Sequence, residues 1–154
     1  MTLLATLCHI KRANNLLLQR KSAGFFGEGK WNGVGGKLRL GESPSEGVKR
    51  EVLEETGLQV SQLKLHGVLK FYFGRVEKPE WTVYVFSTRV FKGKLKSSEE
   101  GLLQWFAFGE IPYEQMWQDD KYWLPLLLKN RDFSGDFYFT GDGTELLDFN
   151  LEST

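Results

Sequence analysis

"GVGGKLRLGESPSEGVKREVLEETGL", residues 33–58, sets a glycine cluster ahead of a segment that carries Glu42, Glu46, Glu51, Glu54 and Glu55. Ser43 followed by Pro44, with Glu46 three residues on, is a capping-box start with proline at the first helical position, and Gly57 is a good terminator. The spacing predicts a helix over 44–56. At about 100° per residue, Val48 and Val52 fall within about 40° of each other and face a core, while Glu51, Glu54 and Glu55 share a neighbouring arc about 100° wide. These three carboxylates form one patch. Like charges at i,i+4, as in Glu51 and Glu55, cost a few tenths of a kcal/mol even on an exposed helix. Arg50 can pair with Glu54 at i,i+4 but cannot neutralise all three. A solvated acidic face is the simple structural reading. The chemical alternative is a site for a hard divalent cation, Mg²⁺ or Mn²⁺, which prefers carboxylate ligands and keeps several waters.

Outward from this segment, the 154 residues suit one domain, 1–154, with a single core. Lys plus Arg equals Asp plus Glu at 20 each, so net charge gives no sign of nucleic-acid or anionic-membrane binding. Cys8 is the only cysteine, which excludes an intrachain disulfide and suits a reducing, cytoplasmic setting. The opening "MTLLATLCHI" is too short to span a membrane and lacks the marks of a signal peptide, so it reads as a strand. "NLLLQR" follows a polar turn and completes a hairpin. "SAGFFGEGKWNGVGGK" reads as a glycine-rich loop where backbone approaches something closely. "LKLHGVLKFYFG", "WTVYVFSTRVF" and "LLQWFAF" are strand candidates, "QDDKYWLPLLLKN" is helical with Pro125 near its start or kinking it, and "DFYFTGDGTELLDFN" is a last hairpin. The pattern is α+β.

Reading from Gly36, the spacing is a glycine, five residues, Glu42, seven residues, Arg50-Glu51, Val52, Leu53, Glu54-Glu55, Thr56, Gly57 and Leu58. It resembles, without a departure, the signature of the Nudix hydrolases, the MutT-like pyrophosphohydrolases. The resemblance implies an α/β/α sandwich, with a mixed central sheet between the 44–56 helix and a helix near residues 123–129. It implies Glu51, Glu54, Glu55 and the Gly35 carbonyl as ligands of Mg²⁺, with Mn²⁺ as a substitute. Arg50 would orient the glutamates and Glu42 would brace the loop. Glu100 would reach the metal site as a further ligand and candidate base, with Glu99 as fallback.

"GFFGEGKWNGVGGK" and "IPYEQMWQDDKYWLPLLL" are similar to the matching segments of the family members that act on oxidised purine nucleoside triphosphates. Asn32 offers a donor and an acceptor to a base edge, and Asp119 and Asp120 can accept from ring N–H and amino groups. Two adjacent buried carboxylates do not both ionise easily, so one can carry a proton and donate. Without the resemblance, the pair reads as a helix N-terminus. Trp117 and Phe26 supply stacking faces, and Thr6 and Lys21 match pocket-lining strand positions. Phe71 and Trp81 either wall the pocket or belong to the core. His9 and His66 read as structural. The activity implied is hydrolysis of oxidised purine (deoxy)nucleoside triphosphates such as 8-oxo-dGTP to monophosphate and pyrophosphate, which cleanses the nucleotide pool. The expected partner is a small-molecule nucleotide and the expected state a monomer. A Nudix pyrophosphatase for a nucleotide sugar or dinucleotide is the alternative enzyme, and a non-hydrolysing nucleotide-binding module the alternative class.

Overall fold

The computed structural model describes residues 2–154, so Met1 lies outside the described residues. Eleven strands and two helices follow the chain as β1 Leu3–Arg12, β2 Asn15–Lys21, β3 Trp31–Asn32, β4 Val34–Lys37, α1 Pro44–Thr56, β5 Gln59–Ser61, β6 Lys64–Phe73, β7 Trp81–Thr88, β8 Val90–Lys92, β9 Gly101–Ala107, α2 Asp120–Leu128, β10 Phe133–Phe139 and β11 Leu146–Ser153. Nine of the strands form one sheet in the order β11-β10-β6-β7-β1-β2-β3, with β4 joined to β1 and β9 to β2. Parallel pairs β1/β7 and β10/β6 sit among antiparallel ones, so the sheet is mixed, as expected. The remaining two strands, β5 and β8, pair antiparallel as a small separate sheet.

β1 changes partner along its length. Ala5 to Cys8 pair with β4, whereas Lys11 and Arg12 pair with β2. The sheet forks there, and residues from both branches line one cleft. Part of the glycine-rich stretch read as loop is strand: Trp31–Asn32 and Val34–Lys37 satisfy backbone groups of β2 and β1 that would otherwise be left without partners. The loop proper is confined to residues 22–30.

Strand alternation places successive side chains on opposite faces. Leu16 and Leu18 join the apolar cluster that holds Trp123, Leu124 and Leu127 of α2, while Leu17 between them joins the cluster of Val48 and Val52 of α1. The helices therefore cover opposite faces of the sheet. α1 begins and ends where the sequence predicts. Ser43 accepts from the Glu46 amide, the Glu46 carboxylate accepts from the Ser43 amide, and Gly57 closes the helix at φ 77° in the left-handed region. α2 starts three residues before the expected Trp123, at Asp120, and holds Pro125 in its interior. Proline there forfeits the amide bond to the Lys121 carbonyl, and Lys121 is exposed, so water can serve that carbonyl.

Candidate active site

A cleft of about 500 Å³ opens between the forked strands, α1 and the start of α2. Every residue proposed from the sequence to touch a base or sugar lines it. Thr6 comes from β1, Lys21 from the end of β2, Phe26 from the 22–30 loop and Asn32 from β3. Phe71 and Trp81 face each other across the β6/β7 ladder, and Trp117, Asp119 and Asp120 close the far side. Gly35, Glu51 and Glu100 line the same cleft. Phe71 also packs against the core cluster, so both readings of that residue hold.

The glycines allow close approach. A β-carbon on Gly35 would sit 1.8 Å from the Thr6 carbonyl oxygen, and one on Gly36 would sit 2.7 Å from the Glu51 carboxylate. α1 can therefore bring its acidic face against β4. Arg50 is the hub of that contact. It donates to both Glu42 oxygens at 2.6 and 2.9 Å, to Glu51 at 2.8 Å, to Glu54 at 3.2 Å and to the Lys37 carbonyl at 3.2 Å. These bonds hold the Glu42 carboxyl well below its usual range, at about 2, and push the Arg50 guanidinium further up. The predicted i,i+4 pair of Arg50 with Glu54 is present, and so is the brace from Glu42 to the loop.

Glu55 faces the other way, buried behind the cleft. Its Oε2 accepts from Gln19 Nε2 at 3.1 Å and from Ser98 Oγ at 2.8 Å. Glu100 meets it from the loop before β9 and forms an ion pair with Lys21 at 3.3 Å, while Glu99 is exposed. Burial, and then the contact with Glu55, raises the Glu100 carboxyl.

Among the described residues, no three acidic side chains stand grouped as a ready metal cage. Glu51 and Glu54 are gathered on Arg50, and Glu55 and Glu100 on each other. The donor chemistry nonetheless fits a hard cation. Every candidate ligand is an oxygen, and Glu55 and Glu100 bring two carboxyl groups close enough to raise Glu100 by their mutual charge, a place where a cation is favoured.

At the opposite end, Asp119 and Asp120 are 2% and 3% exposed. Asp119 does not cap α2. Its Oδ2 accepts from Trp123 Nε1 at 2.6 Å instead. Burial raises both carboxyls, and Asp120 is raised further by the charge of Asp119 beside it. Both shifts favour the neutral form, that of Asp120 the more strongly. Asn32 Oδ1 accepts from the Gly33 amide at 2.8 Å, which leaves its NH₂ group free to donate into the cleft. Phe26 stacks on Trp117 with ring centres 5.3 Å apart and touches Trp81 at 5.8 Å.

Sequence reasoning missed several contributors. Lys30 and Lys37 line the cleft, with their ammonium groups 5.3 Å from the Trp117 ring and 5.6 Å from the Trp81 ring. Gln19 and Ser98 hold Glu55, and Trp123 holds Asp119. Gln19 did leave a trace, as a polar residue ending a run of leucines. Of the two histidines read as structural, His66 has both ring nitrogens hydrogen-bonded, whereas neither ring nitrogen of His9 has a hydrogen-bond partner among the described residues. Both are buried; His9 is lowered to about 3 by burial, and His66 is pinned between the Arg131 carbonyl at 2.7 Å and Ser87 Oγ at 2.6 Å.

A mixed sheet between two helices, with a glycine-braced acidic helix against the central strand, defines a nucleotide pyrophosphohydrolase scaffold, and residues 1–127 match the NUDIX domain family model. The chain belongs to the Nudix family. It is 42% identical over 149 residues to the oxidized purine nucleoside triphosphate hydrolase of Mus musculus, an alignment covering 96% of this chain and 93% of the mouse protein. With the protein of the same name from Danio rerio it shares 42% identity over 90% of this chain and 87% of that one. Among solved structures, the MutT protein of Bacillus halodurans superposes with a TM-score of 0.87 at 32% identity, covering 97% of each chain.

Proposed function

We propose that this protein hydrolyses oxidised purine (deoxy)nucleoside triphosphates, of which 8-oxo-dGTP is the model, to the monophosphate and pyrophosphate. The observation that carries the reading is one cleft with two specialised ends: the acidic Nudix helix at one, and Asn32 with the buried Asp119/Asp120 pair at the other. The relatives of 42% identity, named for oxidised purine nucleotides, support it.

Nudix hydrolases need a divalent cation, and we take Mg²⁺ as the natural one here, with Mn²⁺ able to replace it. Glu51, Glu54, Glu55, Glu100 and the Gly35 carbonyl would hold it. Once bound, such a cation neutralises charge on phosphoryl oxygens and lowers the pKa of a bound water. The chain's own residues do the rest. Arg50 fixes Glu51, which lines the cleft, and the more exposed Glu54 beside it, while Gln19 and Ser98 fix Glu55. Glu100 is the candidate proton acceptor, since it lines the cleft and burial raises its basicity. Lys21, Lys30 and Lys37 add positive charge to the wall of the cleft, which favours an anionic ligand. With one proton held between Asp119 and Asp120, one carboxyl oxygen accepts from a base N–H or amino group while another group of the pair donates, so one pocket can serve both oxidised guanine and oxidised adenine. The catalyst would act as a cytosolic monomer, a setting that suits the single buried thiol of Cys8.

Hydrolysis of 8-oxo-dGTP in ¹⁸O-labelled water, followed by mass spectrometry, tests the reaction type. Monophosphate and pyrophosphate are the expected products. Release of inorganic phosphate and diphosphate would contradict the assignment, and turnover confined to nucleotide sugars or dinucleotides would favour the other Nudix activity.

A further inference from the structure

Three residues that line the cleft carry a buried polar atom without a partner among the described residues: Thr6 Oγ1, Asp120 Oδ2 and the indole Nε1 of Trp81. A hydroxyl can donate or accept, so only the last two have a fixed character. An indole N–H can only donate. A buried donor with no acceptor is destabilising, and in a native fold it needs an explanation. Trp81 is not free to turn away from the cleft by moving its backbone. It opens β7, paired in parallel with Leu3 of β1 on one side and antiparallel with Phe71 of β6 on the other. Phe26 and the Lys37 ammonium lie against its ring, at 5.8 and 5.6 Å, so the ring is already engaged and the N–H is what remains unused.

The chemistry of the proposed substrate supplies what is missing. Oxidation at C8 gives a purine an extra ring carbonyl, an acceptor, and replaces the neighbouring bare ring nitrogen by an N–H, a donor. Trp81 Nε1 and Asp120 Oδ2 have the complementary polarities, a donor for the carbonyl and an acceptor for the N–H. We infer that Trp81 is a specificity-determining residue, whose indole N–H donates to the carbonyl that oxidation adds to the base. This rests on the function proposed above and goes beyond stacking. A site built around a hydrogen bond rejects ligands that lack the matching group, because its own buried partner is then left unpaired.

Trp81→Phe removes the donor and keeps an aromatic face. Calorimetric titration of parent and variant with 8-oxo-dGMP and dGMP reads the effect directly, whether or not either is a product of turnover. The variant is expected to bind 8-oxo-dGMP about tenfold more weakly, the weight of one neutral hydrogen bond. Its affinity for dGMP should stay within about twofold, and its melting temperature should hold or rise, since an unpaired buried donor has gone. In protein labelled with ¹⁵N in its indoles, the Trp81 N–H signal, assigned by its absence from Trp81→Phe or Trp81→Leu, should move downfield with 8-oxo-dGMP and not with dGMP. Unchanged affinity for 8-oxo-dGMP, an equal loss for both nucleotides, a fallen melting temperature alongside the loss, or an unmoved indole signal would each overturn the inference. Parent protein that prefers 8-oxo-dGMP but fails to hydrolyse the triphosphate would sink the proposed reaction and leave the role of Trp81 standing.

Discussion

Asp120 shows how much one side chain can be made to carry. Its carboxyl is buried, lies beside a second carboxyl and is raised well above the ordinary aspartate value by both. A raised folded-state pKa contributes stability that is complete below the unfolded value of about 4 and is lost as pH rises through the folded value. The parent protein should therefore lose stability from about pH 4 upward until the pair has titrated, while Asp120→Asn should show a flatter profile. Melting curves at successive pH values check this, and a variant that tracks the parent at every pH would remove Asp120 from the role of proton carrier. The same substitution should weaken discrimination between oxidised bases. At the other end of the cleft, Glu55→Gln is expected to cut turnover by at least about a hundredfold while the circular dichroism spectrum is kept, because an amide is a poor ligand for a hard cation. A variant that unfolds in metal-free buffer would show Glu55 to be architecture. Both ends were visible in the sequence as residue types. The roles of Gln19, Ser98 and Trp123 as their supports were not: Gln19 and Ser98 reach Glu55 from segments far away in the chain, and Trp123 holds Asp119 only once the turn of α2 brings its indole back four residues.

Among the elements, α1 is the one whose bounds local chemistry dictates. Ser43, Pro44, Glu46 and Gly57 act within a turn of themselves, so the helix could be drawn from residue 44 to 56 before any fold was known. Ser43→Ala should remove the side-chain acceptor for the Glu46 amide and cost about 1 kcal/mol, a fall of about 2–4 °C in melting temperature for a chain of this size. A melting temperature equal to the parent's would mean that packing of Val48 and Val52 alone sets the start of the helix. Strands β3 and β4 lie at the other extreme. "WNGVGGK" contains little that favours a strand, and it becomes one because β1 and β2 present unpaired backbone edges to it. Likewise α2 begins at Asp120 rather than at Trp123, since Asp119 is engaged by Trp123 from within the helix and the first turn is drawn in behind it.

At the scale of the whole molecule, the fork in β1 joins two kinds of chemistry in one cleft. One branch brings β4 and its glycines to the acidic helix, and the other brings β2 and β3, with Lys21 and Asn32, to the base pocket. The alternation of Leu16, Leu17 and Leu18 between opposite cores lets one strand serve both layers. The α+β class and the mixed sheet between helices were legible from the strand-rich pattern and the resemblance carried by residues 36–58, whereas the fork was not, because it depends on where β1 exchanges one partner for another. A molecule so arranged should turn over oxidised and unmodified bases at very different rates, since both meet the same phosphate machinery and differ only at the far wall. The direct test is the ratio of kcat/KM for 8-oxo-dGTP to that for dGTP, measured on the purified protein with Mg²⁺ at neutral pH. We predict a ratio of about ten or more, the worth of one well-placed hydrogen bond or better; a ratio near one would contradict the assignment of the cleft to oxidised purines.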